Sequence, residues 1–241
     1  MPTPVNPCWM SADVATPYFS PKTYKFLRAL SRNNSREWFH AHKQDYETHL
    51  RQPFQRLITD LQPELLTISE HYRADPRGVG GSLFRIHRDT RFSNNKLPYK
   101  TWSGARLFHA RSKQVPAPSF YLHVQPGSCF IGAGLWQPEP ETQRRIRQFI
   151  FDNPGAWRAA VQAPVFKRRF EMVGDSLVRA PRGFPADHEL VEDLKRKDFV
   201  ASASLDEETI MGPNLRKSVV THLAGLAPLV DYLCAALDLE F

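Results

Sequence analysis

The chain has 241 residues, 41% hydrophobic and 24% charged, and carries a formal net charge of +7 from 32 Lys and Arg against 25 Asp and Glu. That size and balance support one sizeable core without covalent staples and exclude a low-complexity or fibrous chain. The positive charge biases the protein toward anionic partners, and three scattered cysteines (Cys8, Cys129, Cys234) without a C-x-x-C spacing exclude a disulfide framework or zinc knuckle.

Residues 1–17 hold four prolines and no apolar periodicity, so they read as a loose arm ahead of a single domain over 18–241. Ser20-Pro21 supplies an N-cap and a proline at the first helical position, and Tyr24, Phe26, Leu27 and Leu30 give a short helix its apolar face. Asn34 with Glu37 three residues on resembles a capping box, predicting a second helix through Trp38, Phe39 and Tyr46 toward Leu50. Pro53 predicts a third start, with Phe54, Leu57, Ile58, Leu61 and Leu65 at helical spacing and Pro63 near its end.

The period then changes. After Arg77-Gly78-Val79-Gly80-Gly81, residues 83–88 read as a strand with Phe84 and Ile86 on one face and Arg85 and His87 on the other. Residues 105–110 are a second candidate strand, and Phe120–Val124, a Gln125-Pro126-Gly127-Ser128 turn and Cys129–Trp136 predict a hairpin. Gly132 and Gly134 inside it point to close backbone packing or a pocket wall. Helices are expected over 139–151, after Asn153-Pro154, over 187–197 and over 213–237, with a strand at 199–204. Helices, then sheet, then helices predict an α+β fold: a mostly antiparallel sheet covered by helices, closed by a long C-terminal helix. No apolar run reaches the ~20 residues of a membrane span and no leader pattern opens the chain, so a cytoplasmic protein without a membrane partner is expected.

The segment 84–100 concentrates the chemistry. It packs five Arg or Lys with one Asp and one His into seventeen residues, interleaved with Phe84, Ile86, Phe92, Leu97, Pro98 and Tyr99. Such a segment can be anchored in a core while its cations face an anion. Arg88, Arg91, Lys96 and Lys100 are the expected anion contacts, since a guanidinium donates two parallel hydrogen bonds to phosphate. Arg85 and Arg182 are further candidates, Tyr99 and Trp38 candidate walls, and Asp89 with His123 an acid–base pair if a reaction is catalysed. His40 and His42 point about 200° apart on a helix and cannot share a metal, whereas His87, His109 and His123 form a metal site only if the sheet gathers them on one face. Hydrolase, P-loop and H-E-x-x-H patterns are absent from the sequence.

Four stretches resemble the domain of unknown function 2461, a bacterial and fungal family: Asn33–Phe39, Phe84–Ser93 with Lys96, Pro98, Tyr99 and Lys100, Tyr121–His123 through Gly132–Trp136, and Pro181–Phe184 with Lys197-Asp198-Phe199. The resemblance implies an α+β single domain, supplies no reaction or cofactor, and places the 88–100 stretch, His123 and Arg182 in the family pattern. The expected function is a basic and aromatic pocket for a phosphate-bearing or other anionic small molecule. The alternatives are a nucleic-acid binding module, through base stacking beside cations, and a structural or interaction domain whose basic loop is paired internally.

Overall fold

A computed structural model of the protein describes residues 16–91 and 93–241. The expected arm and Cys8 therefore lie almost wholly outside the described residues, as does Phe92. Helix α1 (Pro21–Arg32) starts at its proline and buries Tyr24, Phe26, Leu27 and Leu30 as their spacing demands. The second helix differs from expectation. It is broken into α2 (Arg36–Ala41) and α3 (Lys43–Tyr46), followed by a π-helical turn over Glu47–Arg51 that runs straight into α4 (Gln52–Ile68). The cap is Ser35, whose hydroxyl accepts from the Trp38 N–H at 3.2 Å, and not Asn34.

Six strands form one antiparallel sheet in the order β1-β2-β3-β4-β6-β5: β1 (Tyr72–Arg73), β2 (Ser103–His109), β3 (Ser119–Val124), β4 (Cys129–Leu135), β5 (Glu171–Val173) and β6 (Phe199–Leu205). The hairpin register pairs His123 with Phe130 and Tyr121 with Gly132, and β2 sets Gly104 opposite His123 and Arg106 opposite Tyr121. Alternation follows from the pleat. Leu107, Phe120, Leu122, Ile131, Ala133, Phe199 and Ala201 point inward and are buried. Gly134 has φ 130°, and a Cβ there would lie 1.9 Å from the Phe199 carbonyl oxygen, so this glycine serves a close backbone approach to β6.

Helices α5 (Pro140–Asp152), α6 (Pro154–Val161), α7 (Pro164–Arg169) and α8 (Val191–Leu194) lie between β4 and β6. The helix expected over 187–197 shrinks to α8 because the following residues pair back: Leu177 donates to the Lys195 carbonyl and Lys197 to the Asp175 carbonyl, both at 2.8 Å. After α9 (Glu207–Met211), α10 (Leu215–Ala235) packs along β4 and α4. By length and composition α10 is sufficient to cross a membrane, contrary to the expectation that no stretch is. In this fold Leu223, Leu226, Leu229, Val230 and Leu233 form the middle of the core. The domain is α+β, with helices on the inward face of the sheet.

Candidate functional site

Residues 83–88 are not the strand their alternation suggests. The segment touches β2 through the Phe84 N–H to the Gly104 carbonyl at 3.0 Å, then leaves it and pairs with residues 98–100. Arg88 N–H donates to the Pro98 carbonyl and Lys100 N–H to the Ile86 carbonyl, each at 2.8 Å. Ile86 and Tyr99 are its buried anchors. The Tyr99 ring stacks on Phe39 at 4.1 Å, and its backbone is held on both sides by Asn34, whose amide oxygen accepts from Tyr99 N–H and whose amide nitrogen donates to Tyr99 C=O, each at 3.0 Å. Asn34 thus ties the helical motif to the basic motif.

Between this segment and the π-helical turn lies a cleft of about 260 Å³, lined by Phe39, Lys43, Tyr46, Glu47, Arg51, Arg85 and His87 among others. Arg51 bonds Glu47 at 3.0 and 3.1 Å. Arg85 has no ion-pair partner among the described residues. The cations repel one another: His87 is held below the ordinary histidine range first by burial, then by Arg85, Arg36, His40 and Lys100. Lys100 is pushed down for the same two reasons, burial and then Arg85.

The rest of the loop is turned inward on itself. Asp89 accepts from the Arg91 backbone N–H and guanidinium at 2.8–3.2 Å, and Arg91 pulls its carboxyl to about 2. Lys96 donates to the Thr90 carbonyl at 3.0 Å, and Lys100 to the Arg85 carbonyl at 2.8 Å. Arg88, half-buried, has no ion-pair partner among the described residues. Trp38 is not a wall of this cleft: it stacks on His42 at 4.0 Å and lines a separate hollow with Lys22 and Lys25. Arg182 follows β5, the sheet edge opposite β1, between cavities of about 540 and 480 Å³. The second of these mixes Arg144 and Arg145 with Asp152 and Asp238, and Arg145 bonds Asp238 at 2.8 Å, so charge there is largely balanced.

His123 stands on the outward face of the sheet. The Tyr121 hydroxyl donates to its Nδ1 at 2.8 Å and its Nε2–H donates to the Gln125 amide oxygen at 3.0 Å. Burial holds it below the ordinary range, which fits a neutral ring with one donor and one acceptor nitrogen. Both ring nitrogens of His123 are engaged by Tyr121 and Gln125, and the Asp89 carboxylate by Arg91. Phe130 stacks on its ring at 4.7 Å, and Trp102 lies 4.9 Å from it. His109 points inward, with Nδ1 accepting from Arg111 N–H at 3.1 Å and Nε2–H donating to the Glu240 carbonyl at 3.0 Å. His87, His109 and His123 therefore do not gather, and among the described residues no three metal-ligating side chains do.

Sequence reasoning missed Lys43, Glu47 and Arg51, because a π turn has no simple sequence signature, and missed Trp102 and Phe130, the latter set beside His123 by the hairpin register. Comparison with curated proteins and with solved structures finds no match. The family model described as a conserved hypothetical protein (DUF2461) matches residues 22–232, so the chain belongs to that family.

Proposed function

We propose that the protein binds a phosphate-bearing or comparably anionic small molecule in the cleft between the π-helical turn and the Arg85–His87 segment. The supporting observation is one of charge: Lys43, Arg51 and Arg85 line the cleft with Glu47 as the acid of its lining, that carboxylate is held by Arg51, and His87 beside them is held below its ordinary range. Arg36 and Lys100 act on His87 in the same direction, after burial and Arg85. An anion relieves this repulsion, and the cleft is of a size for a phosphate group with a modest substituent. The π turn fits the reading, since such turns cost helical regularity and concentrate at functional sites. Binding is favoured over turnover because Asp89 and His123 are already engaged, by Arg91 and by Tyr121 and Gln125.

Thermal-shift screening against inorganic phosphate, pyrophosphate, sugar phosphates and nucleotides, followed by calorimetry on hits, tests this. Arg85→Ala is expected to weaken a hit by tenfold or more, because a charge-assisted hydrogen bond contributes about 1.5–3 kcal/mol. An undiminished affinity in that variant rules the cleft out.

A further inference from the structure

An antiparallel sheet with one face in water normally alternates apolar inward and polar outward. This one does not. Over β2 to β4 the outward positions hold Phe108, Tyr121, His123 and Phe130, and Phe84 and Trp102 join them from the preceding segment. Apart from His123 and glycines, the outward residues of β2 to β4 and β6 are all at least partly exposed. Partly exposed aromatic rings gathered on a solvated face, with Phe84 exposed among them, mark an interaction surface.

Phe84, Trp102, Tyr121, His123 and Phe130 form a continuous layer, and Phe108 lies farther along β2, beyond Arg106. Trp102 and Phe130 flank His123 at 4.9 and 4.7 Å, Tyr121 lies 5.7 Å from both Phe130 and Phe84, and Phe84 is 6.3 Å from Trp102. Cations border the layer on one side: Lys100 sits 5.0 Å over Trp102, Arg106 5.8 Å over Phe108, and Arg73 is the β1 residue paired with Phe108. Ser202 and Ser204 continue the face on β6, and among its described strand positions the acid is Glu171, out on the edge strand β5.

We infer that this outward face binds single-stranded nucleic acid, with bases stacking on Trp102, Phe130 and Phe108 and phosphates meeting Lys100, Arg106 and Arg73. Stacking suits a flat, open platform because every base has a π-face, and it is the usual partner of a cationic border. A small ligand asks instead for a concavity that buries most of its surface. A second copy of this chain brings the same cations to the interface with Glu171 as the acid of the face, so charge complementarity favours a polyanion. The face shares Phe84 and Lys100 with the border of the cleft, whereas Phe108, Phe130, Arg106 and Arg73 lie outside the cleft lining and carry the test independently of its occupant.

The test is fluorescence anisotropy with short labelled oligo-uridine and oligo-thymidine across a salt series, with duplex DNA as competitor. Phe108→Ser and Phe130→Ser are each expected to weaken binding about tenfold, and Arg106→Gln to lower the log–log salt slope by about 0.7. Circular dichroism and thermal melts establish that the variants fold; should Phe130→Ser fail because it exposes His123, Phe108→Ser, at a partly exposed site outside the ring layer, carries the test. The inference is overturned by absence of binding at low salt, by duplex competing as well as single strand, by affinities unchanged in the folded variants, or by a concentration-dependent dimer that these substitutions dissolve.

Discussion

Replacing Gly104 by alanine isolates the contact that holds the outward face together. A Cβ built on Gly104 falls 2.3 Å from the Tyr121 hydroxyl oxygen, 2.7 Å from Cζ and 2.8 Å from Cε2. Three atoms of one stiff ring are involved, and that ring is packed between Phe84 and Phe130, so it has to swing as a whole. The swing breaks the 2.8 Å bond to His123, costing about 1 kcal/mol, and forces repacking worth about 1–3 kcal/mol. Against this, alanine gains about 0.5–1 kcal/mol over glycine in a strand. Gly104→Ala is therefore expected to destabilise by about 1–3 kcal/mol in urea unfolding. In a Tyr121→Ala background the obstacle is gone, and the same substitution is expected to stabilise slightly. The sign reversal is the measurement, read as a double-mutant coupling. Equal destabilisation in both backgrounds refutes the reasoning, because the cost would then come from the β2 backbone and not from the ring.

Three further outcomes follow from the same structure. His87, His109 and His123 are all held below their ordinary range by burial, so the unfolded chain binds more protons below pH ~6.5, and stability present above that pH is lost as pH falls through it; melts from pH 7.5 to 5.5 check this, and His123→Asn is expected to flatten the decline. Arg147 is buried and donates to the Leu194 and Arg196 carbonyls at 2.8 and 2.7 Å and to Gln143 at 2.9 Å; Arg147→Met leaves the buried Leu194 carbonyl and the partly buried Arg196 carbonyl unpaired and is expected to cost about 2–4 kcal/mol in chemical unfolding. An anion in the cleft raises the depressed His87, so binding takes up a proton, and affinity measured by calorimetry is expected to rise as pH drops from 8 to 6, an increase that His87→Gln removes.

The parts of the fold set by local pattern are legible in the sequence. Proline starts and 3.6-residue spacing placed α1 and α4, and the Gln125-Pro126-Gly127-Ser128 turn between two apolar runs placed the β3–β4 hairpin. Misreadings arose where a distant residue took over a local one. Asn34 looks like a cap because caps are Asn, Ser or Asp, yet its amide is spent on the Tyr99 backbone 65 residues away, and Ser35 caps instead. The alternation of 83–88 is genuine, but without a ladder to hold it Phe84 swings onto Tyr121 and only Ile86 is buried. Of the candidate site residues, Arg85, Tyr99 and Lys100 are drawn together by the 86–100 pairing. Trp38 and Arg182 lie elsewhere, Trp38 beside His42 and Arg182 beyond β5, because spacing along the chain does not say which cavity a residue lines.

The π-helical turn over Glu47–Arg51 also sets a phase. Each residue advances an α-helix by about 100°, and a π turn is the equivalent of one residue inserted into a regular helix. Deleting a single residue there would let α3 and α4 fuse into one regular helix while rotating everything ahead of it by more than a quarter turn, carrying Lys43 away from Arg85. Between a chain with the cationic cleft and one without it, the difference in length is one amino acid.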